Sequence, residues 1–335
     1  MDRASIGRSN VRYVPGDQLH SLSRKDCAAV EGYEHVLTGQ LDLFAHSRTV
    51  MLLNDLMDSV LERDAAGVRR LLELLRAEAP GHPALNSFGT LREALERWPA
   101  STNRPGDTAR IVDWLDSEVA RAAASALGPA ASTFMRSLWH ELAVAVAAQP
   151  YDPINPRSHF AYCYLRAGNA QAALQALASI EEHDLDPFVL QCVILARYGL
   201  SGWHACRSPF FTLALTAPQH LPATLTKLSD PSLHADWERF WTDCIWLDQR
   251  EEMAGAWFPS WYLIEHPATR VAGVVNGEES GAPWARAFRA MRLLLVLERN
   301  GYAAPLIAAR TELRRIDSRL FELYMSRRES QGLGL

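Results

Sequence analysis

Apolar residues recur at three- and four-residue spacing along most of the chain, and the period-two alternation of a half-buried strand is scarce. Leu52, Leu53, Leu56, Val60 and Leu61 form one helical stripe. Leu71, Leu72, Leu74 and Leu75 form the next, which ends at Ala79-Pro80-Gly81-His82-Pro83. Asp107-Thr108 reads as the cap of a helix carrying Ile111, Trp114, Leu115, Val119 and Ala122. Gly128-Pro129 breaks the chain, and a helix with Phe134, Leu138, Leu142 and Val146 follows, stopping at Gln149-Pro150. Two further helical hairpins are expected. Leu52–Ala79 turns near Asp64–Gly67 and Ala287–Met325 at Asn300-Gly301-Tyr302, with a glycine taking the left-handed cap in each.

Tyr151-Asp152-Pro153-Ile154-Asn155-Pro156 follows Pro150, and three prolines so close exclude helix. The segment separates an N-terminal helical region, residues 23–149, from a second region, residues 157–330. Residues 1–22 read as a loose arm and residues 330–335 as a frayed end. Beyond the boundary the chain repeats: Tyr164 and Gly168 recur as Tyr198 and Gly202, Phe160 as Ile194, and Leu177 as Phe211, each shifted by 34. The stretch Phe160–Leu174, with an aromatic one turn before Gly168 and the small Ala161 and Ala173, resembles a tetratricopeptide-repeat unit. The resemblance covers about residues 157–220. It is good for the first unit and degenerate for the second, where Leu195 and Arg207 replace Ala161 and Ala173. The predicted fold class is therefore all-α: antiparallel helical hairpins, partly a tetratricopeptide-like solenoid with irregular caps. In such an array binding residues line the inner helices, which here singles out Tyr162, Arg166, Arg197 and Tyr198.

The most unusual composition lies in Trp237–Tyr262. Five of the ten tryptophans fall there, enough to ask whether the window is core or site. Trp237/Trp241 and Trp257/Trp261 are i,i+4 pairs, interleaved with Asp236, Asp243 and Asp248. One reading is a large-residue core; the other is an aromatic groove around Trp241, Trp246, Trp257 and Trp261, with Asp243, Asp248, Glu265 and His266 as titratable groups. Trp237 and Trp241 are expected in the core. Trp257 and Trp261 are expected at a groove rim, because Pro259 would interrupt the helix between them.

Charge narrows the function classes. Lys+Arg is 34 against Asp+Glu 39, a net charge of −5 that gives no global field for nucleic acid. All but Lys25 and Lys227 of the cations are arginine, the base-composition signature of a GC-rich bacterium. The arginines from Arg310 to Arg328, alternating with acids, read as one solvated amphipathic helix. The longest apolar runs, Leu142–Ala148 and Leu293–Leu297, are too short to span a bilayer, and Met1–His20 lacks the apolar core of a secretory signal. Five widely spaced cysteines without a CxxC pair read as buried thiols of a cytoplasmic protein.

Motifs for catalysis and cofactors are missing: neither GxGxxG, GxxxxGK[ST] nor GxSxG occurs, and His140-Glu141 has Val144 where a zinc helix needs a second histidine. His204, Cys206 and Cys192 supply no regular fourth ligand, and Glu181–Asp184 with Asp186 read as a turn capping the helix from Pro187. No catalytic residue, metal or cofactor is assigned. The leading expectation is a non-catalytic helical-repeat scaffold that binds a protein or peptide partner. The alternative is an all-helical small-ligand-binding protein or enzyme with a tryptophan-lined pocket in residues 237–266.

Overall fold

A computed structural model describes residues 35–98, 106–180, 186–248, 251–271, 277, 279–301 and 303–330. The expected arm at residues 1–22, the acids Glu181–Asp184 and the last five residues lie outside them. Among the described residues every regular element is helical, and the helices pack mainly on their sequence neighbours as hairpins. None of those helices is long and apolar enough to cross a membrane. The chain divides into two compact units, Met1–Val146 and Ala147–Leu335.

The first unit contains α1 (His35–Leu61), α2 (Ala65–Glu78), α3 (Ala84–Arg97), α4 (Asp107–Trp114), α5 (Ala120–Leu127) and α6 (Ala131–Ala145). Helix α1 packs on α2, α2 on α3, α3 on α5 and α5 on α6, burying Leu56, Val60, Leu72, Phe88, Leu91, Leu138 and Trp139. A π turn, Leu115–Val119, joins α4 to α5 in one rod. Two expectations change here. The α1–α2 turn is made not by Gly67 but by Arg63, at φ 61°. Gly67 lies in the first turn of α2, where its amide donates to Asp64 Oδ1 at 2.9 Å. A Cβ on Gly67 would meet Asp64 Oδ2 at 2.3 Å, so a side chain there would have to displace the capping carboxylate. Arg63 is held by Glu141 at 2.5 Å and Ser137 at 2.8 Å, contacts far away in sequence that offset its backbone strain. The cap of α4 is Gly106 rather than Asp107, which supplies first-turn negative charge instead.

The second unit begins with α7 (Phe160–Arg166), α8 (Ala170–Leu177), α9 (Pro187–Ser201) and α10 (Trp203–Thr216). Gly168 and Gly202, both at positive φ, form the turns α7–α8 and α9–α10. Helix α8 packs between α7 and α9, and α9 packs on α10. Asp186 starts α9 by accepting from the amides of Phe188 (2.8 Å) and Val189 (3.2 Å), with Pro187 at the first helical position where its missing donor costs nothing. Asp230-Pro231 starts α12 the same way.

The rest comprises α11 (Leu221–Lys227), α12 (Pro231–Asp243), α13 (Phe258–Glu265), α14 (Pro283–Asn300), α15 (Ala303–Ile316) and α16 (Ser318–Ser330). Helices α10 and α13 are apolar almost all round and are buried accordingly: Pro209 through Leu215 on the first, Phe258 through Ile264 on the second. Helices α12, α14 and α16 pack on α13. The single amphipathic helix expected over Arg310–Arg328 is in fact two, α15 and α16, broken at Asp317, whose carboxylate accepts from Leu320 N at 2.7 Å.

Candidate functional site

The aromatic window is built around α13. Pro259 does not interrupt a helix there; it occupies the first turn of α13 and so starts it. That shift of one turn carries Trp261 inward. Trp261 is fully buried, stacked on Phe258 at 5.7 Å and edge-on to Phe240 at 5.9 Å, which corrects the expectation of a groove rim. Trp241, Trp246 and Trp257 are half-buried and pack against the same core, and Trp237 packs there too. Edge-to-face contacts continue through Phe210, Phe211, Tyr262 and Phe288, the preferred geometry of aromatic quadrupoles.

The acids of the window are drawn into pairs. Asp243 accepts from Trp261 Nε1 at 3.0 Å and from Arg327 Nη2 at 2.9 Å. The other end of Arg327 donates to Glu265 at 2.5 Å, and Glu265 also pairs with Arg239. Hydrogen bonding to Glu265 raises the Arg327 pKa further, so this cation is permanent. His266 Nε2 is 2.7 Å from Asp236 Oδ2, with its ring against Tyr262. Burial raises the Tyr262 pKa, and its hydroxyl accepts from Trp203 Nε1 at 2.8 Å. Asp243, Glu265 and His266 thus have protein partners, and the arrangement locks α16 and α12 onto α13. A second buried cluster does the same for α14, α15 and α16: Glu298 accepts from Tyr324 Oη and Arg328 Nε, and Arg310 donates to Tyr324.

Of the four residues expected to line a repeat groove, the two tyrosines pack on different cores and the two arginines are exposed. Tyr162 packs in a small cluster with Phe188 (5.8 Å) under the Arg157 guanidinium. Tyr198 packs on the main core of the second unit. Arg166 and Arg197 are exposed, at the ends of α7 and on α9. The free, buried thiols Cys192, on α9, and Cys206, on α10, have pKa values pushed up to about 12 by burial. Among the described residues no group of three or more His, Cys, Asp or Glu is placed to hold a metal ion.

Sequence reasoning missed the most distinctive surface of the second unit. An open groove of about 460 Å³ runs between α14 and the segment after α13. Its floor is Leu263, Val271 and Leu295; Leu293 and Val296, 51% and 49% exposed, form one bank. Four arginines, Arg270, Arg289, Arg292 and Arg299, are among the described residues that line it. Arg289, Arg292, Leu293, Val296 and Arg299 fall at helical spacing on one face of α14, which was the available sequence signal. Arg299 donates to the carbonyls of Pro267 (2.5 Å) and Thr269 (3.0 Å), pinning the opposite bank. In the first unit a groove of about 580 Å³ is lined by Asn86, Ser87, Thr90, Ser117, Arg121 and Ser125. Two of its hydroxyls, on Thr90 and Ser117, are already bonded to their own helix carbonyls.

Comparison of the chain with family models, with curated proteins and with solved structures returns no match.

Proposed function

We propose that this protein is a non-catalytic, tetratricopeptide-like helical scaffold that binds a protein or peptide partner. The observation that carries the reading is the pair of successive hairpins, α7–α8 and α9–α10, each turning on a positive-φ glycine at the positions of the sequence recurrence. Hairpins stacked in register offer extended surfaces that bind without reactive groups. The alternative, a small ligand or substrate held among the tryptophans, has less support. Trp261 is packed on Phe240 and Phe258, and Asp243 and His266 are engaged by Arg327 and Asp236. The net charge of −5 favours a polypeptide over a nucleic acid as partner. Free, buried cysteines suit a reducing compartment, and we place the protein in the cytoplasm of a bacterium.

Selection of a random displayed-peptide library on the immobilised full chain tests this. Enrichment of a peptide consensus that then binds the chain in solution is expected. Failure to enrich any sequence over the bare support would overturn the scaffold reading.

A further inference from the structure

We propose that α16 is an exchangeable element: the break at Asp317 straightens, and α16 of one copy of the chain seats on α13 of a second copy, giving a domain-swapped dimer.

The hinge carries the argument. Helices α15 and α16 are separated by Asp317 alone. From Leu306 to Ser330 the chain holds neither glycine nor proline, so nothing in its covalent structure stops a single helix there. Helical bonding runs up to the break from both sides: Asp317 N donates to the Leu313 carbonyl at 3.0 Å, and the Asp317 carbonyl accepts from Phe321 N at 3.1 Å. The amides of Ser318, Arg319 and Leu320 have no backbone bond to the carbonyls one turn back, and Leu320 N turns to Asp317 Oδ1 at 2.7 Å instead. A continuous helix makes those bonds, to Arg314, Arg315 and Ile316, and gives up the cap.

Two other helices of the same unit show what a firm stop looks like. Asp186-Pro187 and Asp230-Pro231 open α9 and α12, and a proline at the first helical position forbids fusion with whatever precedes it. At α16 that position holds Ser318, which a helix interior tolerates.

The seat is available to a second copy because the residues are identical. Helix α16 lies on α13 and α15, buries Leu320 and Tyr324, and is tied by side chains far away in sequence. Arg327 donates to Glu265 at 2.5 Å and to Asp243 at 2.9 Å, while Arg328 Nε and Tyr324 Oη donate to Glu298. Exchange keeps every one of these contacts. It changes the hinge and the entropy of association, so the balance is set by concentration. The partly buried ion pairs of Arg327 and Arg328 must open first, which makes interconversion slow. The dimer carries two copies of any binding surface the chain offers and gains avidity for a multivalent partner.

Gel filtration with light scattering tests the proposal on the full chain, concentrated, held in sub-denaturing urea and returned to buffer. Wild type is expected to yield a dimer that relaxes slowly to monomer on dilution. Asp317→Ala, which removes the cap and extends the helix, is expected to raise the dimer-to-monomer ratio about fivefold or more. Asp317→Gly removes the same carboxylate but disfavours a continuous helix, and is expected to fall well below Asp317→Ala. Ser318→Pro suits the start of α16 and forbids fusion, and is expected to stay monomeric. A mixing experiment identifies the exchanged element. Glu265→Arg and Arg327→Glu each set like charges together within one copy, and exchange of α16 between the two variants pairs opposite charges in both seats. Mixed, they are expected to dimerise far more than either alone. Monomer only, in wild type and Asp317→Ala alike, would overturn the exchange. So would a dimer that persists in Ser318→Pro, or two folded charge variants that fail to pair on mixing. If a charge variant does not fold, the Asp317 and Ser318 series decides alone.

Discussion

Removing the indole at position 261 separates a core aromatic from a ligand-facing one. A tryptophan buries about 150–250 Å², and at about 25 cal/mol per Å² its full burial contributes about 4–6 kcal/mol. Compactness of the unfolded chain lowers that to about 3–5 kcal/mol, the range of large-to-small core truncations. Trp261→Ala also removes the Nε1 donor to Asp243, but Asp243 keeps Arg327 and its side chain is 20% exposed, so water replaces the lost bond at a cost of about 1 kcal/mol. The expected loss is thus about 4–6 kcal/mol. Trp241→Ala, at a half-buried position on the same core, is expected to cost about half as much. Urea unfolding followed by circular dichroism and tryptophan emission measures both. Emission weights the second unit, because Trp203, Trp237, Trp241, Trp246, Trp257, Trp261 and Trp284 all lie in it. A cost below about 1 kcal/mol for Trp261→Ala, or a larger cost for Trp241→Ala, would refute the packing argument.

Other expectations follow from single features. Gly202 has φ 74° and ψ −169°, a region open essentially to glycine alone, and a Cβ there meets no atom; Gly202→Ala should therefore cost about 1–3 kcal/mol through backbone strain, and a neutral melting shift would contradict this. His159 is buried, caps α7 by accepting from Ala161 N, and has its pKa lowered to about 4 by burial. The unfolded chain then binds the proton more readily, so stability is full above about pH 6.5 and falls as pH drops toward 4. His159→Asn keeps a capping oxygen and should flatten that part of the pH–stability curve; an unchanged slope would exclude His159 as its source. Ser260 Oγ is buried without a hydrogen-bond partner, so Ser260→Ala is expected to leave stability unchanged or raise it by up to about 1 kcal/mol, and a loss above that in urea unfolding would reveal a bond.

The all-helical fold was determined by local pattern. Three-to-four spacing, the Asp186-Pro187 start of α9, and the turn glycines Gly168, Gly202 and Gly301 act within a few residues, so their chemistry is legible in the chain. Boundaries were harder where two local signals competed. Pro259 suits the interior break and the first turn of a helix alike, and only the packing of Trp261 on Phe240 and Phe258 selects the second. The α1–α2 turn went to Arg63 over Gly67 because Glu141 and Ser137, on α6, hold its side chain. Periodicity tells which helix face is apolar and not what that face meets. Arg327, read from sequence as a solvated cation, reaches Glu265 and Asp243, 62 and 84 residues away, while the arginines of α14 became a groove only when residues 269–271 were laid beside them. Charge pairing and concavity depend on distances between elements far apart in the chain, and those distances exist only once the core around α13 has closed.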